Sequence, residues 1–228
     1  MSPDPIEWRV LVADDVTSAV FVPAGPTPND VVFVCAHGAG GSMNDRGMIK
    51  LAEELHSLGL SVVRFNFMYK EGGLKRPDPM PVLESCFQVV VARVREELGP
   101  RVLIIGGRSM GGRAASMMAA RGFTCDGLLM FAYPLHPAGR PEKLRDAHLA
   151  SIKVPVLCFN GTRDALCTPE LMEAALKTVT TRWDMHWLSG ADHSFHVPKS
   201  SGRTDAQVLE EIGVTTDQWV AGLSTGVT

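Results

Sequence analysis

The chain has 228 residues, 45% of them hydrophobic, and a formal net charge of −3. That length suits one α/β domain with a sizeable core, and the mild charge, with no lysine/arginine run, argues against a nucleic-acid partner. No apolar run is long enough to cross a bilayer, and Met1-Ser-Pro-Asp-Pro lacks the basic start and apolar stretch of a signal peptide, so no membrane partner is expected.

In chain order, residues 7–15 and 16–23 predict two short strands paired at a sheet edge, and 25–30, Gly-Pro-Thr-Pro-Asn-Asp, a turn. The β-branched run 31–35 predicts a buried strand leading into His37-Gly38-Ala39-Gly40-Gly41-Ser42. A helical pattern follows over 45–58, stopped by Gly59 as a C-terminal cap. A strand is predicted at 60–67, a glycine- and proline-rich loop at 70–81 and a helix at 82–98. The apolar run 102–105 predicts a strand buried on both faces, and the alanine-rich stretch 114–120 a helix.

Further strands are predicted at 126–133, 154–160 and 182–188. Residues 134–150 read as a connection carrying Pro137, Gly139 and Pro141, ending in a short helix. A helix over 169–179 opens with Thr168 as cap and Pro169 at its first position. The last helix is expected from near Thr204 to before Gly222, broken at Gly213. Strands alternating with helices predict a mostly parallel sheet with helices on both faces. No repeat or linker interrupts the pattern, so residues 1–228 read as a single domain. The five cysteines (Cys35, Cys86, Cys125, Cys158 and Cys167) are odd in number and lack C-x-x-C spacing, which predicts reduced thiols and a cytoplasmic location.

Between the run 102–105 and the alanine-rich helix lies Gly107-Arg108-Ser109-Met110-Gly111, a G-x-S-x-G pattern. Set between a buried strand and a helix, it predicts a nucleophile elbow, a sharp turn that lifts Ser109 out of the sheet. The alternative, a glycine-rich turn that binds phosphate or merely connects, does not need that context. A serine nucleophile requires a base, and the base a carboxylate to orient it. Elbow enzymes order these as serine, acid, histidine. Asp164 follows the strand 154–160, and His193 follows the last strand in Gly190-Ala-Asp-His. Asp164 could be a plain turn residue, and His196 is the rival histidine. Chain order and strand-end position favour Asp164 and His193.

Acyl transfer also needs donors for a developing oxyanion. The expected pair is the backbone N–H of Met110 and that of Ala39, with Gly40 second. His37 is read as loop support. His136 follows a strand end, where it could line a pocket or serve structure. A dinucleotide fingerprint fails, because the third glycine position holds Met43, and no H-E-x-x-H or P-loop pattern occurs. No cofactor and no metal is therefore expected.

With these residues placed, the chain resembles the α/β-hydrolase superfamily. More narrowly it resembles the small KANL/TEX-type predicted hydrolases, with the dienelactone-hydrolase-like branch more distant. The match is carried by Ala36-His-Gly-Ala-Gly-Gly, Arg64-Phe-Asn-Phe-Met-Tyr, Arg76-Pro-Asp-Pro-Met-Pro-Val-Leu-Glu and Gly107-Arg-Ser-Met-Gly-Gly-Arg. Tyr133-Pro-Leu-His-Pro-Ala-Gly-Arg-Pro-Glu-Lys-Leu-Arg, Asn160-Gly-Thr-Arg-Asp and Ala191-Asp-His-Ser-Phe complete it. The resemblance implies an α/β-hydrolase fold, a twisted, mostly parallel sheet of about eight strands with no large lid, and Ser109, Asp164 and His193 as triad. Dienelactone hydrolases proper use cysteine as nucleophile, and Ser109 departs from that. The expected function is cleavage of small-molecule esters, or thioesters, of small acyl groups through an acyl-enzyme. The reading from another class is a hydrolase-like interaction protein with little turnover.

Overall fold

The computed structural model describes residues 4–24 and 30–224; of the turn expected at 25–30, residues 25–29 lie outside the described residues. Eight strands form one sheet: β1 (Ile6–Val12), β2 (Asp15–Val22), β3 (Val31–Ala36), β4 (Ser61–Phe65), β5 (Val102–Arg108), β6 (Gly127–Phe131), β7 (Val156–Gly161) and β8 (Trp183–Leu188). Their order is β1-β2-β4-β3-β5-β6-β7-β8. β1 and β2 pair antiparallel at one edge, β2 meets β4 antiparallel, and every later pairing is parallel. The helices are α1 (Arg46–Ser57), α2 (Met68–Glu71), α3 (Met80–Leu98), α4 (Met110–Ala120), α5 (Pro169–Leu176) and α6 (Asp205–Ser224).

The two-residue period of a strand explains why β3 is apolar without interruption. Val32 and Val34 point into one buried layer, with Phe87 and Val90 of α3 and Ala115 and Met118 of α4. Phe33 and Cys35 point into the other, with Met48 and Leu55 of α1 and Val208 and Ile212 of α6. Both faces of the sheet are thus sealed by helices. All five cysteines are unpaired and buried, where a thiol packs as a small hydrophobe. No helix among the described residues is long and apolar enough to cross a membrane.

Gly59 ends α1 as expected: at φ 90° it lets its own N–H reach the His56 carbonyl and the Leu60 N–H reach that of Leu55. These bonds satisfy carbonyls at the helix end and turn the chain into β4. Three expectations are corrected. The first hairpin turns at Ala13-Asp14, so Asp15 belongs to β2 and pairs with Val12. The loop expected at 70–81 is shorter at both ends, because α2 covers Met68–Glu71 and α3 begins at Met80. Pro81 lies in the first turn of α3, where its missing N–H costs nothing, so a residue read as loop helps start a helix. Finally, α6 runs unbroken through Gly213 and past Gly222. Gly213 is there for close approach: a Cβ would stand 2.6 Å from Glu54 Oε1 and 2.8 Å from Leu58 Cδ1, where α6 crosses α1.

The parallel strands point the same way, so the segments leaving β3, β5, β7 and β8 gather at one edge of the sheet. In open α/β sheets that carboxyl edge is where ligands bind.

Candidate active site

Ser109 is the single residue between β5 and α4. Its backbone, at φ 48° and ψ −111°, lies where L residues rarely go, at a cost of about 1–3 kcal/mol that the surroundings must offset. Two backbone bonds hold it: its N–H donates to the Phe131 carbonyl over 2.8 Å, and its carbonyl accepts from the Arg113 N–H over 3.0 Å. Gly111 lets α4 sit against β3, since a Cβ there would stand 2.4 Å from the Ala36 carbonyl oxygen.

The structure brings His193 and Asp164 to this serine. His193 Nε2 lies 3.0 Å from Ser109 Oγ, and His193 Nδ1 lies 2.8 Å from Asp164 Oδ2. A carboxylate only accepts, so Nδ1 carries the proton and Nε2 turns its lone pair toward the hydroxyl. Asp164 is buried, and its Oδ1 accepts the Leu166 N–H at 2.8 Å. The row can therefore move the serine proton to His193 while Asp164 steadies the resulting imidazolium. His196 points elsewhere: it pairs with Asp205 at 3.0 Å on the surface, near the start of α6.

The backbone donors sit beside Ser109. Met110 is the first residue of α4, so its N–H has no partner within the helix. Ala39 lines the same pocket of ≈ 420 Å³ as Ser109 and Met110. The neighbouring Gly40 N–H is already donated to Tyr69 Oη at 3.2 Å, which leaves Ala39 as the free donor of this pair. His37 is buried; its Nδ1 donates to the Gly38 carbonyl at 2.8 Å and its Nε2 accepts the Phe67 N–H at 3.1 Å. Burial, first of all, pushes its pKa down, so the ring stays neutral and braces the loop. His136 does line the pocket.

Three supporting residues escaped the sequence reading. Asn160, at the end of β7, donates from Nδ2 to Asp164 Oδ2 and to the Tyr133 carbonyl, each at 3.1 Å, and accepts the Tyr133 N–H at Oδ1. An asparagine inside Val-Leu-Cys-Phe-Asn was the available signal, since a buried amide must find partners. Arg108 donates from Nη2 to the His193 carbonyl at 3.1 Å and so tethers the histidine loop to β5. Gly161 lets that loop approach β7, because a Cβ would stand 2.1 Å from the Ala191 carbonyl oxygen.

A serine on a strained strand-to-helix turn, at the carboxyl edge of such a sheet and within hydrogen-bond reach of a histidine, places the molecule among the serine hydrolase-like α/β proteins. The chain belongs to the alpha/beta hydrolase domain family, whose model matches residues 29–221. Solved structures agree on the fold. An alpha-beta serine hydrolase homologue from Coxiella burnetii superposes with TM-score 0.75 at 21% identity, covering 94% of this chain and 98% of that one. A dienelactone hydrolase from Anabaena variabilis gives 0.77 at 20% identity, covering 97% and 99%. An a/b serine hydrolase without lid from Xanthomonas campestris gives 0.73 at 20% identity, covering 96% of each chain.

Proposed function

We propose that this chain is a single-domain, cytoplasmic serine esterase that cleaves carboxylic esters of small acyl groups, thioesters among them, through an acyl-enzyme. The observation that carries this reading is the unbroken row Ser109–His193–Asp164, with gaps of 3.0 and 2.8 Å. In the first step His193 Nε2 takes the Ser109 proton as Oγ attacks the acyl carbon. The negative oxygen of the tetrahedral species lies against the N–H groups of Met110 and Ala39. Collapse breaks the bond to the leaving oxygen, or to sulfur in a thioester, which receives the proton from His193 and departs as an alcohol or thiol. Water then gives a proton to His193, attacks the acyl carbon and releases the acid, and the proton returns to Ser109.

Asp164 keeps the imidazole in the productive tautomer throughout. Asn160 and the Leu166 N–H hold Asp164 in place by hydrogen bonds to its two carboxylate oxygens. Labelling with a fluorophosphonate probe, followed by peptide mapping, tests the reading. An adduct on Ser109 supports it, and folded protein that carries no adduct points instead to an interaction protein with little turnover.

A further inference from the structure

The pocket over Ser109 carries more positive charge than its walls need. Arg113, on α4, and Arg145, in the segment after β6, both line it. Helix rise places the Arg113 Cα about 6 Å along α4 from the serine. Among the described residues neither arginine forms an ion pair with a carboxylate. Arg113 Nε is buried with no hydrogen-bond partner. Arg145 gives one bond, from Nη1 to the Pro134 carbonyl at 3.3 Å, and keeps its other donors. Burial, followed by the nearby Arg113 charge, holds the Arg145 pKa below its ordinary range, as expected for two cations side by side.

Two further groups define the site. His136 is buried in the same wall; its Nδ1 donates to the Pro137 carbonyl at 3.0 Å, and its Nε2 has no partner. Asp78 is the one acid in the lining, and its Oδ2 already accepts the Tyr69 N–H at 3.0 Å. Two cations without a carboxylate partner and an orphaned guanidinium nitrogen in one pocket are satisfied together by an anion, while His136 Nε2, a lone pair once Nδ1 donates, accepts from a donor of the ligand or solvent. Two planar guanidinium forks match the geometry of a carboxylate.

We propose that Arg113 and Arg145 form a carboxylate-binding subsite beside Ser109, so that the preferred substrate is a monoester of a short dicarboxylic acid. The subsite rests on the esterase reading for its chemistry, but not for its binding. The spacing of one helical turn from the nucleophile fits an acid of roughly four to six carbons, with the ester carbonyl on Ser109 and the free carboxylate on the arginines. Ester cleavage proceeds as before, and the second carboxylate is left unchanged.

The test has a kinetic and a binding arm. In the first, monoethyl glutarate and ethyl pentanoate are compared by pH-stat titration. The expected kcat/KM ratio favours the glutarate by about tenfold or more, and the ratio collapses in Arg113→Gln and, independently, in Arg145→Gln. In the second, the Ser109→Ala chain is titrated calorimetrically with glutarate, neutral glutaramide and inorganic phosphate. Glutarate is expected to bind most tightly, and to weaken about tenfold when either arginine is replaced. An ester ratio near one, a ratio that survives both replacements, or glutarate binding no better than glutaramide overturns the proposal. Tighter binding of phosphate overturns the carboxylate assignment. If the wild-type chain hydrolyses neither ester, the esterase reading fails, and the titration alone decides the subsite.

Discussion

Asn160 Nδ2 donates to Asp164 Oδ2 across 3.1 Å, so the carboxylate oxygen that faces His193 is shared with the last turn of β7. The same amide nitrogen also reaches the Tyr133 carbonyl, and the amide oxygen accepts the Tyr133 N–H, which ties the ends of β6 and β7 together. Replacing Asn160 with alanine strands the buried Tyr133 N–H, leaves the Tyr133 carbonyl with the Leu135 N–H alone, and frees one side of Asp164. We expect Asn160→Ala to lose about 2–4 kcal/mol of stability and to lower kcat beyond what the lost stability explains. Denaturant melts and esterase rates, measured where the variant is still folded, check both. An unchanged melt would show that the amide does not carry these bonds in solution.

Ser109→Ala is expected to keep the fold and to lose ester hydrolysis by on the order of 10³-fold or more. The hydroxyl contributes nothing to the backbone bonds that hold the elbow, so the melting temperature should barely move. Activity within tenfold of wild type would remove Ser109 from the chemistry.

The two histidines of the last loop separate cleanly. His193→Ala should match Ser109→Ala, and the double variant should be little worse, because the members of such a row act as a unit. His196→Ala loses only an exposed pair with Asp205 and should retain most of the rate. Steady-state rates of the three variants decide it, and an exchange of the two single outcomes would reverse the assignment.

His148 makes stability fall in acid. Burial, chiefly, and the charges of Arg113 and Arg121 lower its pKa from 6.5 to about 4. Below pH 6.5 the unfolded chain binds a proton that the folded chain refuses, so stability declines as pH falls toward 4. His148→Gln keeps an amide near Ser116 but has no proton to take up. Its melting temperature should change less than that of wild type between pH 6.5 and 4, and parallel curves would show that the acid limb comes from other groups.

Acyl length follows from the segment between β6 and β7. Among its described residues the only helical piece is a short 3-10 turn, Leu149–Ser151, so no lid helix roofs the pocket. Each additional buried methylene would stabilise binding by about 0.8 kcal/mol, and without an apolar roof a long chain forfeits that gain. With p-nitrophenyl esters, kcat/KM should peak at roughly two to four carbons. A rate still climbing past about eight carbons would reveal an apolar tunnel.

The sequence by itself carried the main strands, the elbow and the end of α1, which local periodicity and turn chemistry set, but not the first hairpin turn or the short helix α2. The uninterrupted apolar runs of β3, β5 and β7 announced buried parallel strands, the glycines around Ser109 announced a tight strand-to-helix turn, and Gly59 announced a helix end. Chain order then singled out Asp164 and His193, because a strand run followed by a polar turn places the next residue at the sheet's carboxyl edge. Local pattern failed where a residue serves a distant neighbour. Gly213 reads as a helix breaker until α1 is seen packed against it. The bond from Arg108 to the His193 carbonyl joins residues 85 positions apart, and the one that gives Gly40 to Tyr69 spans 29. Such contacts form only after the sheet has assembled and brought its strand ends together. For that reason the tertiary structure, and no pattern along the chain, decided how Asp164 is braced, which loop N–H stays free, and which arginines line the pocket that holds Ser109.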